Sequence, residues 1–177
     1  FTITSSDDFT SGTRGIATVE SITAAATDNI ITITTHATAF TDGIVTIDLS
    51  GDTDATGANV INVSADDGSE AWTLTGSAGV DTITGDGGID TITGGGGADV
   101  LGGGAGNDLF YYTATADLFA SNVIADAITG GAGTDSIVIN NNGGATFTIA
   151  AADDFGTITT VESITTVATD NIITITT

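Results

Sequence analysis

The sequence predicts an all-β fold in which short parallel strands stack into a β-roll or β-solenoid. Two observations carry this prediction: a nine-residue glycine and aspartate repeat in the middle of the chain, and alternating apolar and polar residues on both sides of it. Alternation with a period of two is typical of half-buried strands. Glycine-rich turns at a fixed spacing indicate strands that recur regularly along the chain.

The central repeat spans residues 76–111 as four consecutive nonapeptides in one register, GSAGVDTIT, GDGGIDTIT, GGGGADVLG and GGAGNDLFY. Glycine opens each nonapeptide, aspartate stands at position 6, and a large apolar residue stands at position 8. These residues are Gly76, Gly85, Gly94 and Gly103, then Asp81, Asp90, Asp99 and Asp108, and finally Ile83, Ile92, Leu101 and Phe110. A flexible linker does not hold a carboxylate and an apolar residue in fixed phase. The repeat closely matches G-G-x-G-x-D-x-U-x, a sequence signature of calcium-binding parallel β-rolls, and it therefore predicts such a fold.

Composition narrows the class of function. The 177 residues include 23 acidic residues and one basic residue, Arg14, for a formal net charge of -22. Nucleic acids and anionic membranes bind through Lys and Arg, so neither is expected as a partner. The hydrophobic fraction of 40% argues against disorder, and the absence of cysteine excludes disulfides and thiolate metal sites. No apolar run approaches the ~18 residues of a membrane helix, so membrane insertion is not expected.

Residues 1–75 are predicted to form threonine-rich rungs of the solenoid. Turn-forming residues separate alternating segments that begin at Phe1, Asn29, Gly43, Asn59 and Ala71. Their spacing suits solenoid rungs or the strands of a sandwich, and the direct junction with the nonapeptides favours the solenoid. Leu74 lies nine residues before Ile83, so the stack is expected to begin one rung early, with Trp72 in its core.

Residues 112–142 keep the nine-residue phase after the glycines stop. Asp117 and Asp126 stand at position 6, and Phe119 and Ile128 stand at position 8; the glycine signal then returns at Gly130, followed by Asp135. This phase predicts degenerate rungs, then restored ones, in the same register. The alternative is a short helix within the 18 glycine-poor residues. Asp117 and Asp126 lack glycine loops and are interpreted as ordinary turn carboxylates.

Residues 143–177 contain a second copy of the start of the chain. The segment from Phe147 to Thr177 repeats the segment from Phe1 to Thr35, with Glu162 matching Glu20. The chain is therefore one long repeat followed by the beginning of the next. We interpret its ends as cuts through a tandem array.

The glycine and aspartate loops contain the oxygens that calcium prefers. A tight reversal between parallel strands needs positive φ and hence glycine, whose bare backbone also lets carbonyl oxygens approach a cation. Calcium takes six to eight hard oxygens from carboxylates and carbonyls. An apparent EF-hand loop at Asp52 lacks both the terminal glutamate and flanking helices, so it is interpreted as a turn.

With these loops the chain resembles the RTX (repeats-in-toxin) family of calcium-binding nonapeptides. The resemblance implies a right-handed parallel β-roll with two nonapeptides per turn and calcium between loops stacked on the same side. Asp81 would then share an ion with Asp99, and Asp90 would share one with Asp108. Asp86 replaces the second glycine of its loop and departs from the family pattern. The candidate metal-binding residues are Asp81, Asp90, Asp99, Asp108 and Asp135, with Gly76, Gly85, Gly94, Gly103 and Gly130.

The candidate site at Asp135 is expected to face a loop that lacks glycine. The loop before Asp135 is rich in glycine, but its expected same-side neighbour, around Asp117, is not. Calcium is the only cofactor that the sequence predicts.

The sequence favours a structural function. No nucleophile elbow, HExxH motif or P-loop is present, so an enzyme is not expected. The leading hypothesis is a calcium-stabilised repeat of a secreted bacterial filament, surface layer or sheath, stacking end to end on copies of itself. The alternatives are the stalk of an RTX adhesin and the calcium-binding secretion segment of an RTX exoenzyme. All three place the protein outside the cell, where calcium would couple binding to folding.

Overall fold

The computed structural model describes residues 2–3, 8–10, 21–24, 30–35, 45–65, 68, 70–113, 118–120, 123–140, 146–149, 155–166 and 172–175. The described residues form nineteen short strands, most of which belong to two parallel sheets. Consecutive strands alternate between the two sheets through most of the chain, so the backbone winds as a roll. The predicted all-β parallel β-roll is confirmed.

The first sheet has eight strands. In spatial order they are β1 (Thr2–Ile3), β3 (Ser21–Ala24), β5 (Thr46–Asp48), β7 (Thr73–Thr75), β9 (Thr91–Thr93), β11 (Leu109–Tyr112), β15 (Ser136–Ile139) and β18 (Ser163–Thr166). The second sheet has seven, in the order β17 (Ile158–Thr159), β14 (Ala127–Ala132), β10 (Val100–Ala105), β8 (Val80–Thr84), β6 (Ala58–Asn62), β4 (Thr32–Thr34) and β2 (Asp8–Thr10).

Thirteen strands each contribute one apolar residue that points between the sheets and forms a ladder with its partners above and below. The first sheet contributes Ile22, Ile47, Leu74, Ile92, Phe110, Ile137 and Ile164; the second contributes Ile33, Ile61, Ile83, Leu101, Ile128 and Ile158. All except Ile158 and Ile164 are almost fully buried. In strands such as β7 and β9, threonines flank the ladder residue and are more exposed than it is, as the pleat of a strand requires. Period-two alternation thus fixes which face enters the core.

The roll begins before the nonapeptides, as predicted. Leu74 pairs with Ile92 in the first sheet, and Trp72 is 1% exposed in the core. The described strands of residues 1–75 belong to the same two parallel sheets as the repeat, which favours the solenoid over the sandwich. The sequence missed β2 and β3.

The roll has two edges, along which the described loops between the two sheets lie. Edge I contains the loops that lead from the first sheet to the second, such as those at residues 76–79 and 94–99. Edge II contains the loops that lead from the second sheet to the first, such as those at residues 85–90, 103–108 and 130–135. Within the nonapeptides, stacked loops are 18 residues apart; farther along, the separation is 27.

The longer coils depart from the predicted nine-residue phase. Phe119 does not join either sheet: β12 (Phe119–Ala120) pairs antiparallel with β13 (Val123–Ile124). The chain then rejoins the roll at Asp126. One consequence is a correction, because Asp108 and not Asp117 is the same-side neighbour of Asp135. Asp117 itself lies outside the described residues.

The second copy of the repeat continues the first sheet. Its strand β18 has the sequence position of β3 in the first copy, and β18 pairs with β15 in the same parallel register. A separate parallel pair joins β16 (Thr146–Ile149) to β19 (Ile172–Ile175). Within the described part of the chain, no helix has the length and apolar character needed to cross a membrane.

Candidate calcium sites at the edges of the roll

The position-6 side chains of edge II form a continuous hydrogen-bonded ladder. The backbone N–H of Asp90 donates to Oδ1 of Asp108 over 2.9 Å, and that of Asp108 donates to Oδ1 of Asp135 over 2.8 Å. At the start of the ladder Trp72 N–H donates to Asp90, and at its end Asp135 N–H donates to Oε2 of Glu162 over 2.7 Å. One oxygen of each carboxylate is therefore committed to holding adjacent coils in register.

Edge I has an equivalent ladder of its own, which ends in different residues. Asp81 N–H donates to Oδ1 of Asp99 over 2.8 Å, and Asp99 N–H donates to Oδ1 of Asp126 over 2.9 Å. Before Asp81 the position is taken by Asn59, whose Oδ1 accepts the N–H of Ile31. The ladder therefore extends beyond the glycine loops, with an amide in place of a carboxylate.

The second carboxylate oxygen faces the glycine that opens its own loop. A Cβ built on Gly103 would lie 2.1 Å from Oδ2 of Asp108 and 2.5 Å from the carbonyl oxygen of Gly130. Gly85 has the same surroundings, with Oδ2 of Asp90 at 2.3 Å and the carbonyl of Gly103 at 2.2 Å. Each such place, which we call a cradle, joins a carboxylate of one coil to a carbonyl of the next.

Five cradles follow from these distances. Oδ2 of the position-6 aspartate comes within 2.5 Å of the Cβ point in every one, and all but the Gly94 cradle also have a carbonyl oxygen of the following coil within 2.5 Å; the cradles lie at Gly76, Gly85, Gly94, Gly103 and Gly130. Only glycine leaves room for the two oxygens, because a real Cβ would collide with them. This explains why position 1 is invariably glycine in the repeat.

The loops fall into two classes. Open loops begin at Gly94, Gly103 and Gly130 and have glycines at positions 2 and 4 with φ between +101° and +139°. Closed loops begin at Gly76 and Gly85 and have Ser77 or Asp86 at position 2. In each closed loop the position-2 N–H donates to Oδ2 of the position-6 aspartate, over 2.6 Å to Asp81 and 3.0 Å to Asp90.

Open loops leave that oxygen without such a donor. Oδ2 of Asp108 and Oδ2 of Asp135 are buried and have no hydrogen-bond partner in the structure, and both residues are 0% exposed. An unpaired buried carboxylate oxygen is costly. Oδ2 of Asp86, in a closed loop, is also buried without a partner. These oxygens are therefore the places where a cation would stabilise the fold most.

The raised pKa values of the ladder aspartates also favour a cation at the edges of the roll. Burial raises the pKa of Asp108 to about 7, helped by repulsion from the carboxylates of Asp90, Asp135 and Asp86. Burial likewise raises the pKa of Asp90 to about 6, although hydrogen bonds from Trp72 and Asp86 favour its charged form. On edge I, burial raises the pKa of Asp81, and hydrogen bonds from Ser77 oppose the shift. A nearby cation would favour the charged forms and so oppose both the burial and the repulsion that raise these pKa values.

The oxygens of the cradles fit calcium. They are carboxylate and carbonyl oxygens, the hard donors that calcium prefers. Within the described ranges, no three His, Cys, Asp or Glu side chains gather around one point. The donor set is therefore a carboxylate with backbone carbonyls, which suits calcium better than a transition metal.

A comparison with protein families agrees with this donor set. The model described as RTX calcium-binding nonapeptide repeat matches residues 75–110 and 125–138, in four copies. The chain carries RTX repeats. RTX repeats bind calcium and form a structural repeat domain, and the proteins that contain them are typically secreted by bacteria. The comparison with curated proteins found no match, and neither did the comparison with solved structures.

The structure brings most of the predicted site residues together. Asp81 lies beside Asp99, and Asp90 lies beside Asp108, as the RTX resemblance implied for loops stacked on one side. Asp135 joins the same edge-II stack next to Asp108. Calcium occupancy at each predicted residue stays a prediction.

Several residues that shape the RTX edges were missed by sequence reasoning. Asn59 and Glu162 occupy ladder positions, and Ser77 closes its loop. Glu162 could have been found, because it lies 27 residues, or three nonapeptides, after Asp135. Asn59 could not, because it is 22 residues before Asp81 and lies outside the nine-residue phase.

Two ladder side chains, the carboxylate of Asp126 and the amide of Asn59, have hydrogen-bond partners that the chain itself supplies. Oδ2 of Asp126 accepts the hydroxyl of Tyr112 over 2.6 Å. The side-chain amide of Asn59 donates to Oδ2 of Asp52 over 3.0 Å, within the turn that only superficially resembled an EF-hand. These rungs contain no glycine cradle, so calcium is not needed to satisfy them.

Proposed function

We propose that the chain is a structural, calcium-stabilised module of a secreted bacterial filament, surface layer or sheath. The observation that carries this proposal is the edge-II stack, in which Asp90, Asp108 and Asp135 lie one above the other and are buried. In the absence of a cation these carboxylates repel one another. Calcium would neutralise them only in the folded roll, so binding and folding are coupled.

The proposed environment is extracellular. Calcium-binding modules outside the cell have dissociation constants on the order of 10⁻⁴ to 10⁻³ M, which lets a chain stay unfolded before export and fold afterwards. The secretion that is typical of RTX proteins supports this environment. We also propose that the chain has no catalytic activity, because its clustered carboxylates are committed to the ladder and the cradles.

A calcium titration followed by circular dichroism tests the coupling. We expect the β signal to rise with calcium and to fall when a chelator is added in excess. Magnesium at the same concentration is the control, since its smaller octahedral shell suits a flexible oxygen cradle poorly. The same β content in chelator and in calcium would contradict the proposal.

We further propose that copies of the repeat stack end to end. The strand β3 is covered by β5, through pairs such as Ile22 with Ile47. Its second-copy equivalent β18 ends the first sheet of the described residues, and Ile164 is only partly buried there. A cleft at this end is lined by Ile137, Phe155, Ile158, Val161, Glu162, Ser163 and Ile164. A further coil with the sequence of β5 would cover these apolar residues.

Sedimentation and electron microscopy in calcium test the stacking. We expect the wild-type chain to form linear assemblies, and Ile164→Asp to abolish them by placing a charge in the apolar end. The matched control is Thr165→Asp, which places the same charge on an exposed neighbour. Monodisperse monomers of the wild-type chain in calcium would count against stacking between separate molecules.

A further inference from the structure

The last rung of edge II is built from two copies of the tandem repeat. Gly130 and Asp135 belong to the first copy. Thr160 and Glu162 belong to the second copy, where they match Thr18 and Glu20. The boundary between copies therefore passes through a single cradle.

This cradle has the same two oxygens as its neighbour. A Cβ on Gly130 would lie 2.0 Å from the carbonyl oxygen of Thr160 and 2.4 Å from Oδ2 of Asp135. The preceding cradle, at Gly103, has Oδ2 of Asp108 and the carbonyl of Gly130 in those places. The carbonyl of Thr160 thus stands where the other coils use a glycine.

The carboxylate in this cradle is aimed at a place where the chain provides no donor. Asp135 is 0% exposed, and its Oδ2 is buried without a hydrogen-bond partner. A buried carboxylate oxygen in this state is stabilised by a cation or by a donor. The nearby groups are a carbonyl and a second carboxylate, so the site has the oxygens of a cation ligand set and not those of a proton donor.

The second copy has an unusual backbone conformation at Thr160, whose carbonyl oxygen lies in the Gly130 cradle. Thr160 has φ of 52°, the positive-φ region that is uncommon for a β-branched residue. Its Oγ1 accepts the N–H of Gly131 over 2.7 Å. Two residues later, Glu162 accepts the N–H of Asp135, as Asp135 accepts that of Asp108. Glu162 thereby continues the ladder as its fourth carboxylate, after Asp90, Asp108 and Asp135.

We propose that the boundary between consecutive repeats is itself a calcium-binding rung. One repeat supplies the Gly130 loop and Asp135, and the next supplies the Thr160 carbonyl and the Glu162 carboxylate. The family match ends at residue 138 and includes neither Thr160 nor Glu162. The inference rests on the proposed calcium function, and it adds that calcium fixes successive repeats in register as well as stabilising each one.

Glu162→Gln tests this rung, and the chain offers a matched control. Glutamine keeps an oxygen for the N–H of Asp135 but removes the negative charge. Glu20→Gln makes the same change at the matching position of the first copy, 115 residues before Asp135 in the sequence. Calorimetric calcium titrations are expected to show that Glu162→Gln weakens one site by about tenfold or more, while Glu20→Gln leaves every site unchanged.

Hydrogen exchange supplies a second readout. Amides of residues 158–166 are expected to gain protection on adding calcium to the wild-type chain, and to lose that gain in Asp135→Asn. Identical calcium titrations for Glu162→Gln and Glu20→Gln would overturn the inference, as would calcium-dependent protection of residues 158–166 that survives in Asp135→Asn. A wild-type chain that bound no calcium would instead overturn the proposed function. If Glu162→Gln did not fold, the Asp135→Asn comparison would decide.

Discussion

Asp126 and Asp108 occupy equivalent places on the two edges of the roll, yet their second carboxylate oxygens meet different surroundings. Oδ2 of Asp126 accepts the hydroxyl of Tyr112, a donor that the chain supplies. Oδ2 of Asp108 lies in a glycine cradle beside the carbonyl of Gly130 and has no donor. Equivalent ladders on the two edges therefore contain one rung satisfied by the protein and another left for a cation.

The glycine loops also differ in whether the chain supplies a donor for the second carboxylate oxygen. In closed loops, the N–H of Ser77 or Asp86 reaches back to the aspartate of the loop. In open loops, glycines with positive φ at the second position turn that N–H away, and Oδ2 of Asp108 and of Asp135 receives nothing. The residue at position 2 thus decides whether Oδ2 of the loop's aspartate has a donor within the loop.

The largest effect is expected from removing calcium. Chelation should abolish the protection of amides in β11 and β15, whose coils join at Asp108 and Asp135, because neighbouring buried carboxylates then repel each other. Amides around Asn59 should keep more of their protection, since Asp52 and Asn59 satisfy each other. Hydrogen exchange in chelator measures both. Equal loss in the two regions would show that the two kinds of rung do not differ energetically.

The next effect concerns the backbone of an open loop. Gly104 has φ of 112°, and a Cβ there would lie 2.0 Å from the carbonyl oxygen of Asp86. Gly104→Ala should therefore destabilise the calcium-bound roll by clearly more than about 1 kcal/mol. The control is Gly102→Ala, because a Cβ on Gly102 meets nothing nearer than 3.9 Å. Thermal unfolding in saturating calcium compares them, and similar melting temperatures would contradict the assigned loop geometry.

A pH dependence should follow from the raised pKa values of Asp90 and Asp108. Their folded-state pKa values, about 6 and about 7, lie above the value of about 4 expected in the unfolded chain. The folded state therefore binds more protons, and the calcium-free roll should lose stability as pH rises from about 5 to about 8. The β signal of circular dichroism in chelator, recorded at the two pH values, measures this as the fraction of chain that stays folded.

Calcium should change the sign of that dependence. Protons compete with calcium for the same carboxylates, so calcium affinity should fall as pH is lowered through about 7. A chelated protein that is more stable at pH 8 than at pH 5 would show that the carboxylates of edge II do not repel one another in the folded state.

The smallest effect is expected at the rung that the chain satisfies for itself. Tyr112→Phe removes the hydroxyl that donates to Asp126 and should cost about 1–3 kcal/mol, by the same amount at two calcium concentrations that both keep the chain folded. Tyr111→Phe is the control, because the Tyr111 hydroxyl accepts from Asn140. Chemical unfolding at the two calcium concentrations measures the difference. A cost that rises with calcium concentration would place a calcium ion near Asp126.

Much of the fold could be predicted because the pattern is local. Period-two alternation and the apolar residue at position 8 define the inner face of every strand from Leu74 to Phe110, and glycine at position 1 marks every loop of the repeat. The prediction failed where the chain leaves the period, at Phe119. Residues 119–120 pair antiparallel with residues 123–124. The nine-residue period predicts parallel stacking only, so it could not indicate this pairing.

The sequence by itself determined that this chain winds as a β-roll, that its turns are made of glycine and aspartate, and that calcium is the cation they suit. Each follows from residue types at a fixed spacing. Only the tertiary structure decided which aspartates become neighbours and which have a partner. It placed Asp135 above Asp108, Tyr112 against Asp126, and Glu162 of the next copy at the end of the stack. Those contacts join residues 14 to 27 positions apart, and the length of each coil, which local pattern leaves free, sets them.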